Sequence, residues 1–190
     1  MKKIVFLLLL ILPISSYAQQ PSSSYSGSVQ IERDDFKRFN AILGPNVVIA
    51  DRGLDSPEYY LMGLYSKEGI GKYLTLTVRS SSYFRSEYYS INMRGGEALE
   101  LSGRPSSNVI SCRRRQCNYL LHTSAKIPFS VAFSDETLRA GLELKAINAV
   151  DDLQFHIPGE YFSAMLAAFI SVGHDPRPAL PDASTPPGEK

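Results

Sequence analysis

Tyr73-Leu74-Thr75-Leu76-Thr77-Val78-Arg79 decides the fold class of this 190-residue chain. Leu74, Leu76 and Val78 fall on one side of an extended backbone, and Thr75, Thr77 and Arg79 on the other, because successive strand side chains point to opposite faces. Residues 59–65 precede this run and join it through Glu68-Gly69-Ile70-Gly71, a short glycine-bearing link that suits a hairpin. The same period of two recurs downstream. Leu99 and Leu101 alternate with Glu100 and Ser102; Leu142, Leu144 and Ala146 with Glu143 and Lys145; Leu153, Phe155 and Ile157 with Gln154 and His156. Residues 47–50, 88–93, 108–112 and 117–123 are weaker strand candidates. About nine short strands at close spacing predict a mainly β fold: an antiparallel β-sandwich or a strongly curved sheet with short helices.

Three segments carry helical spacing instead. Residues 34–43 place Phe36, Phe39, Ile42 and Leu43 on one helical face and stop at Gly44-Pro45. Ser134-Asp135-Glu136 offers a capping hydroxyl and an acidic first turn to a short helix ending at Gly141. Phe162, Met165, Leu166, Phe169 and Ile170 form the apolar stripe of a C-terminal amphipathic helix. Pro158 suits its start and Gly173 its end. Its opposite face, Ser163, Ala164, Ala167 and Ser171, is small rather than charged, which predicts a helix covered on both sides or packed on a second subunit.

The N-terminus carries an address. Met1-Lys2-Lys3, an unbroken apolar run over residues 4–12, Pro13 and then Ser16-Tyr17-Ala18 follow the order of a secretory signal peptide. The apolar run is shorter than the roughly 20 residues a spanning helix needs. Export is therefore expected, with residues 1–18 removed and Gln19 first in the mature chain. The periplasm is the expected compartment, full secretion the alternative. No other segment is long and apolar enough to predict a membrane span. Residues 19–28 read as a flexible lead-in, 29–173 as a single β-rich domain, and 174–190, with five prolines, as a disordered tail.

Loss of the leader removes two lysines and no acid, so 20 basic residues become 18 against 19 acidic. That near balance gives no reason to expect nucleic-acid binding. The charge is nevertheless unevenly spread. Residues 72–126 hold nine basic and three acidic side chains; residues 127–190 hold four basic and nine acidic. The basic part interleaves arginines with aromatics: Arg79, Tyr83, Phe84, Arg85, Tyr88, Tyr89 and Arg94, then Arg113-Arg114-Arg115. Arginine pairs bidentately with carboxylate and phosphate. The candidate binding set is Arg104, Arg113, Arg114 and Arg115, with Tyr88 and Tyr89 beside it; the partner would be an anionic envelope polymer or an acidic envelope protein. The bland alternative is a solvated strand face whose arginines meet the later acids.

Cys112 and Cys117 are the only cysteines. Flanking a hairpin tip in an oxidising compartment, they predict a structural disulfide worth about 2 kcal/mol in the chain-entropy model. A redox role is the sharper alternative, although such motifs usually have two intervening residues and a helix N-terminus. His122 completes a Cys-x4-Cys-x4-His spacing, but no fourth ligand stands near it and oxidation would consume the thiols, so no metal is expected. Asp51, Asp55 and Glu58 could hold calcium, yet lack the alternation of a calcium loop and read as an acidic turn. No nucleophile elbow, metalloprotease helix or phosphate loop occurs. No catalytic residue and no cofactor are assigned, and a hydrolase is the competing class.

The order of features across residues 59–169 resembles that of exported bacterial β-proteins of unknown function. The shared order is a Tyr-rich hairpin, Gly95-Gly96 with Leu99, Cys112 and Cys117 around a turn, Gly141-Leu142 opening a strand, and Ile157-Pro158 opening the last helix. The second half is similar to the invasion-associated locus B proteins. The resemblance implies an exported β-sandwich with a structural disulfide, and no catalytic residue. The expected function is an envelope binding or interaction module.

Overall fold

A computed structural model describes residues 25–34, 37–50, 56–83, 86–113 and 116–177. The leader, residues 178–190 of the tail, Phe36, Asp51, Asp55, Phe84, Arg85, Arg114 and Arg115 lie outside the described residues. The chain forms β1 (Gln30–Glu32), β2 (Asn40–Leu43), β3 (Val47–Val48), β4 (Glu58–Ser66), β5 (Gly69–Ile70), β6 (Tyr73–Ser82), β7 (Ser90–Met93), β8 (Ser106–Arg113) and β9 (Gln116–Pro128). Two short helices, α1 (Phe129–Ala132) and α2 (Asp135–Ala140), precede β10 (Leu142–Ile147), β11 (Leu153–Ile157) and the long helix α3 (Gly159–Ser171).

The expected β class holds. All strand pairings among the described residues are antiparallel: a larger sheet runs β1-β2-β4-β6-β9-β8, with β3 and β5 also on β4, and a smaller one runs β11-β10-β7. One extended segment stitches them together. Residues 97–99 pair with β7, Leu99 N–H donating to Ile91 O at 2.8 Å; residues 100–102 pair with β9, Lys126 N–H donating to Glu100 O at 2.8 Å. The segment expected as a strand at Leu99–Leu101 is thus a corner between two sheets. The result is two antiparallel sheets joined through this segment, with no closed barrel among the described residues.

α3 fills the hollow. Tyr161, Phe162, Met165 and Phe169 are wholly buried against Leu61, Leu74, Leu76, Val78 and Ile127 of the larger sheet and Leu144, Phe155 and Ile157 of the smaller. At about 1.5–3 kcal/mol per fully buried large apolar side chain, this layer dominates the stability. Gly63 makes room for the helix: a Cβ there would stand 2.3 Å from Phe169 Cζ. The buried face is rotated from the expected stripe. Tyr161 enters it and Ile170 turns to solvent, while Ser163, Ala167 and Ser171 are exposed rather than covered.

One further expectation fails for a tertiary reason. Residues 34–43 are not a helix: Asn40–Leu43 pairs with both β1 and β4, so Ile42 is buried while Phe39 is exposed. Sheet pairing overrides local helical spacing. Thr75 and Thr77 lie opposite Met62 and Tyr60 on the outer face, yet both are buried, because these short side chains sit between longer neighbours. Thr77 Oγ1 lies 3.0 Å from Ser124 Oγ, so its hydroxyl is satisfied there.

At α2, Ser134 caps as expected, accepting from Thr137 N–H at 3.2 Å, and Gly141 ends the helix at φ +80°. The packed body also runs beyond 29–173. Tyr25, in a 3-10 turn, packs its ring 5.0 Å from Tyr161, and a His174 ring nitrogen lies 3.0 Å from Ser66 O.

Candidate functional site

The β8–β9 hairpin carries the basic candidates. Its strands pair from Ser106↔His122 to Arg113↔Gln116, with a bulge at Ile110. Every β8 residue but Ser107 is exposed, Val109 at 58% and Ile110 at 54%, so the hairpin projects from the body. Cys112 and Cys117 face one another across it and are bonded, as expected. Their sulfurs are used by each other, which removes them as ligands beside His122. Among the described residues no group of three or more His, Cys, Asp or Glu could hold a metal ion.

Arg104 and Arg113 occupy opposite ends of this hairpin. Arg104 lies in the Gly103–Pro105 interruption before β8, and Arg113 at the tip, where Arg114 and Arg115 follow outside the described residues. Seven strand steps from Ser106 to Arg113 amount to about 23 Å. The two arginines are therefore not one cluster. Both are exposed and neither makes an ion pair among the described residues. Tyr88 and Tyr89 diverge. Tyr88 is 6% exposed, and its carbonyl accepts from Thr123 Oγ1 at 3.0 Å; Tyr89 is 60% exposed. Tyr88 thus belongs to the core, and its contribution to an open binding face is at most an edge.

The uneven charge is divided only in part in space: β6, β9 and β8 of the basic segment are neighbours in the larger sheet, but β7 of the same segment pairs with β10 of the acidic one in the smaller sheet. Arg94 crosses the divide to Glu143 at 3.2 Å. Lys126 pairs within its own part, with Glu100, and Arg79 pairs with Glu58 of β4 at 2.6 Å. The acidic turn at Glu58 thus meets an arginine.

Nothing in the sequence marks Arg79 as a site residue. It lies 5.4 Å from the Tyr60 ring centroid and lines, with Gln30, Asn46 and Met62, an open groove of about 570 Å³. His122 stands opposite Arg79 on β9, and burial first, then the guanidinium, push its pKa down. Tyr59 and Tyr161, buried within the core, have their pKa raised, chiefly by loss of solvation.

A second, tighter groove of about 330 Å³ lies where the inner row of β6 runs out of the core. Ser80, Ser82, Tyr83, Ser86, Asn148 and Asp151 are among its lining. The run Ser80-Ser81-Ser82 was its signal in the sequence: alternation continues while core-sized side chains stop. No helix among the described residues is long and apolar enough to cross a membrane.

No protein-family model matches the chain, and no curated protein or solved structure matches it significantly. Its function is therefore argued from its own geometry.

Proposed function

We propose that this protein is an exported envelope protein that binds an anionic polymer or an acidic partner protein through the basic side formed by β6, β9 and β8. The observation that carries the reading is the disulfide-closed hairpin with exposed Arg104 at its root and exposed Arg113 at its tip, neither ion-paired among the described residues. A closed tip holds its guanidinium groups with less conformational freedom to lose on binding. Arginines without internal carboxylate partners keep their bidentate donors for a ligand. The periplasm, reached after loss of residues 1–18, fits a disulfide that must persist. The resemblance to exported β-proteins and to invasion-associated locus B proteins belongs to the same reading.

A hydrolase is less well supported. Among the described lining residues neither groove pairs carboxylates: one has hydroxyls and a single aspartate, the other Arg79. Paired titratable groups pushed apart in pKa are what acid–base chemistry would call for.

Site-specific photocrosslinking in the cell envelope tests this proposal. A crosslinker at Ile110 on the hairpin should capture an anionic component that a crosslinker at Ser163 on α3 does not. Equal capture from both positions, or from Ser163 alone, would remove the hairpin from the account. N-terminal sequencing of the exported product should begin at Gln19; a product retaining Met1 would refute export.

A further inference from the structure

We infer that the outer edge of β8 is a strand-addition site for an extended segment of an acidic partner protein, apolar at its middle and acidic where it passes the hairpin tip. This rests on the binding role proposed above and names its partner and mode. β8 ends the order of the larger sheet and, among the described residues, pairs on one side only, with β9. Such an edge presents a row of backbone N–H and C=O groups to an incoming extended chain. Their direction is clear at Cys112. Its Cα lies 4.0 Å from that of Cys117, near the roughly 4.5 Å of a non-hydrogen-bonded antiparallel pair and far from the roughly 5.5 Å of a bonded one. The N–H and C=O of Cys112 therefore point away from β9, toward the open edge.

The side chains along this edge suit the same use. The run from Ser106 to Arg113 holds neither Pro nor Lys, residues that commonly guard an edge. At its middle Val109 and Ile110, both β-branched, are exposed and offer apolar cross-strand contact. Arg104 stands exposed before the strand and Arg113 exposed at its end, with Arg114 and Arg115 next in the chain. Near the root, Ser107 Oγ donates to Glu87 Oε1 at 2.7 Å. A carboxylate thus lies beside Arg104's end of β8, and the tip carries the stronger positive charge. An added segment that places carboxylates at the tip meets the arginines there. Paired antiparallel, as the strands of this sheet are, it sets its N-terminal residues at the tip.

A second copy of this chain fits worse. Antiparallel self-pairing centred on Val109 and Ile110 brings the Arg113–Arg115 tip of each copy against Arg104 of the other, and parallel self-pairing stacks two basic tips. Like charges directly opposite destabilise a strand pair. The bulge at Ile110 also bends the edge, which favours a short added strand over a continuous shared sheet.

The test is a chemical-shift titration of the ¹⁵N-labelled mature protein with the peptide acetyl-Glu-Glu-Glu-Thr-Val-Thr-Val-Thr-Gly amide. Two further peptides carry N-methyl groups on one or the other alternate set of residues, and low-mass dextran sulfate is the polymer arm. The parent peptide should give saturable shifts over residues 106–113, with Kd on the order of 100 μM, and slow hydrogen exchange at the Cys112 amide. One methylated peptide should bind about tenfold more weakly and the other like the parent, because alternate N–H groups of an added strand face its neighbour. Ile110→Asp, at an exposed position, should weaken the parent peptide about tenfold. The inference is overturned if the parent peptide gives no saturable shifts, if the two methylated peptides bind alike, or if Ile110→Asp leaves the Kd unchanged. Protection of Cys112 that grows with protein concentration alone would assign the edge to a second copy and overturn it too. Dextran sulfate shifting the hairpin where the peptide does not would overturn strand addition and leave the basic face standing; silence from both removes both.

Discussion

The hydroxyl of Tyr161 on α3 replaces a missing strand partner opposite Leu61 on β4. Leu61 N–H donates to it at 3.1 Å, and it donates onward to Pro45 O at 2.8 Å. The gap it fills lies between β2 and β3, where Gly44 N–H still donates to Leu61 O at 2.9 Å but Pro45-Asn46 leaves the ladder. Gly44 permits the approach: a Cβ there would stand 2.2 Å from the hydroxyl oxygen. The helix is thereby joined to the larger sheet by hydrogen bonds as well as by apolar contact.

Tyr161→Phe keeps the ring but leaves Leu61 N–H unpaired in the interior and takes the donor from the part-buried Pro45 O. A loss of about 2 kcal/mol is expected, since an unsatisfied buried group costs about 1–3 kcal/mol. Gly44→Ala should cost about 1–3 kcal/mol through overpacking. Urea unfolding checks both: the midpoint should fall with the slope unchanged. An unaltered Tyr161→Phe midpoint would mean the hydroxyl contributes nothing.

How much of this was legible beforehand depends on range. Period-two runs such as Leu74-Thr75-Leu76-Thr77-Val78 disclosed the strands, and Ser134 and Gly141 disclosed α2, because those signals are local. Asn40–Leu43 misled, since its helical spacing yields to pairing with β4, which lies some 20 residues downstream. Thr77 is buried by Tyr60, a cross-strand neighbour that no local window contains. Of the site, the basic residues and the disulfide could be read, but not the distance between Arg104 and Arg113. That distance is set by the length of β8.

Alkaline pH should unfold the protein through its buried tyrosines. Tyr59 and Tyr161 have raised pKa values in the fold, chiefly by desolvation, against an ordinary value of 10.0 in the unfolded chain. The unfolded state therefore releases protons first, so stability is full below about pH 10 and falls above it. Tyrosinate absorbance from both should appear together with loss of circular dichroism. Ionisation well before unfolding would contradict their burial.

Acid acts through His122. Its pKa is lowered from 6.5, by burial first and Arg79 second, so the unfolded chain binds the proton more readily. Stability should decline as pH falls through about 6.5 and level off once the folded imidazole also protonates. Comparing thermal midpoints of wild type and His122→Gln at neutral and mildly acidic pH isolates this contribution. The variant should show the shallower decline, and parallel curves would exclude His122.

Removing the disulfide should loosen the hairpin and spare the core. Cys112→Ser with Cys117→Ser forgoes about 2 kcal/mol of closure, at a tip whose β8 residues are exposed. Hydrogen exchange should quicken over residues 108–119 while amides of α3 and β6 keep their protection. A uniform loss across the chain would show that the tip supports the whole fold.

The most direct measurement of the central claim is a binding isotherm of the mature protein on immobilised dextran sulfate and on polyglutamate. Wild type is compared with the Arg113→Ser, Arg114→Ser, Arg115→Ser variant at low and physiological salt. Wild-type retention should weaken as salt screens it, and the variant should lose affinity at least about tenfold with an unchanged thermal midpoint. Equal retention of the two proteins on both polyanions would contradict it.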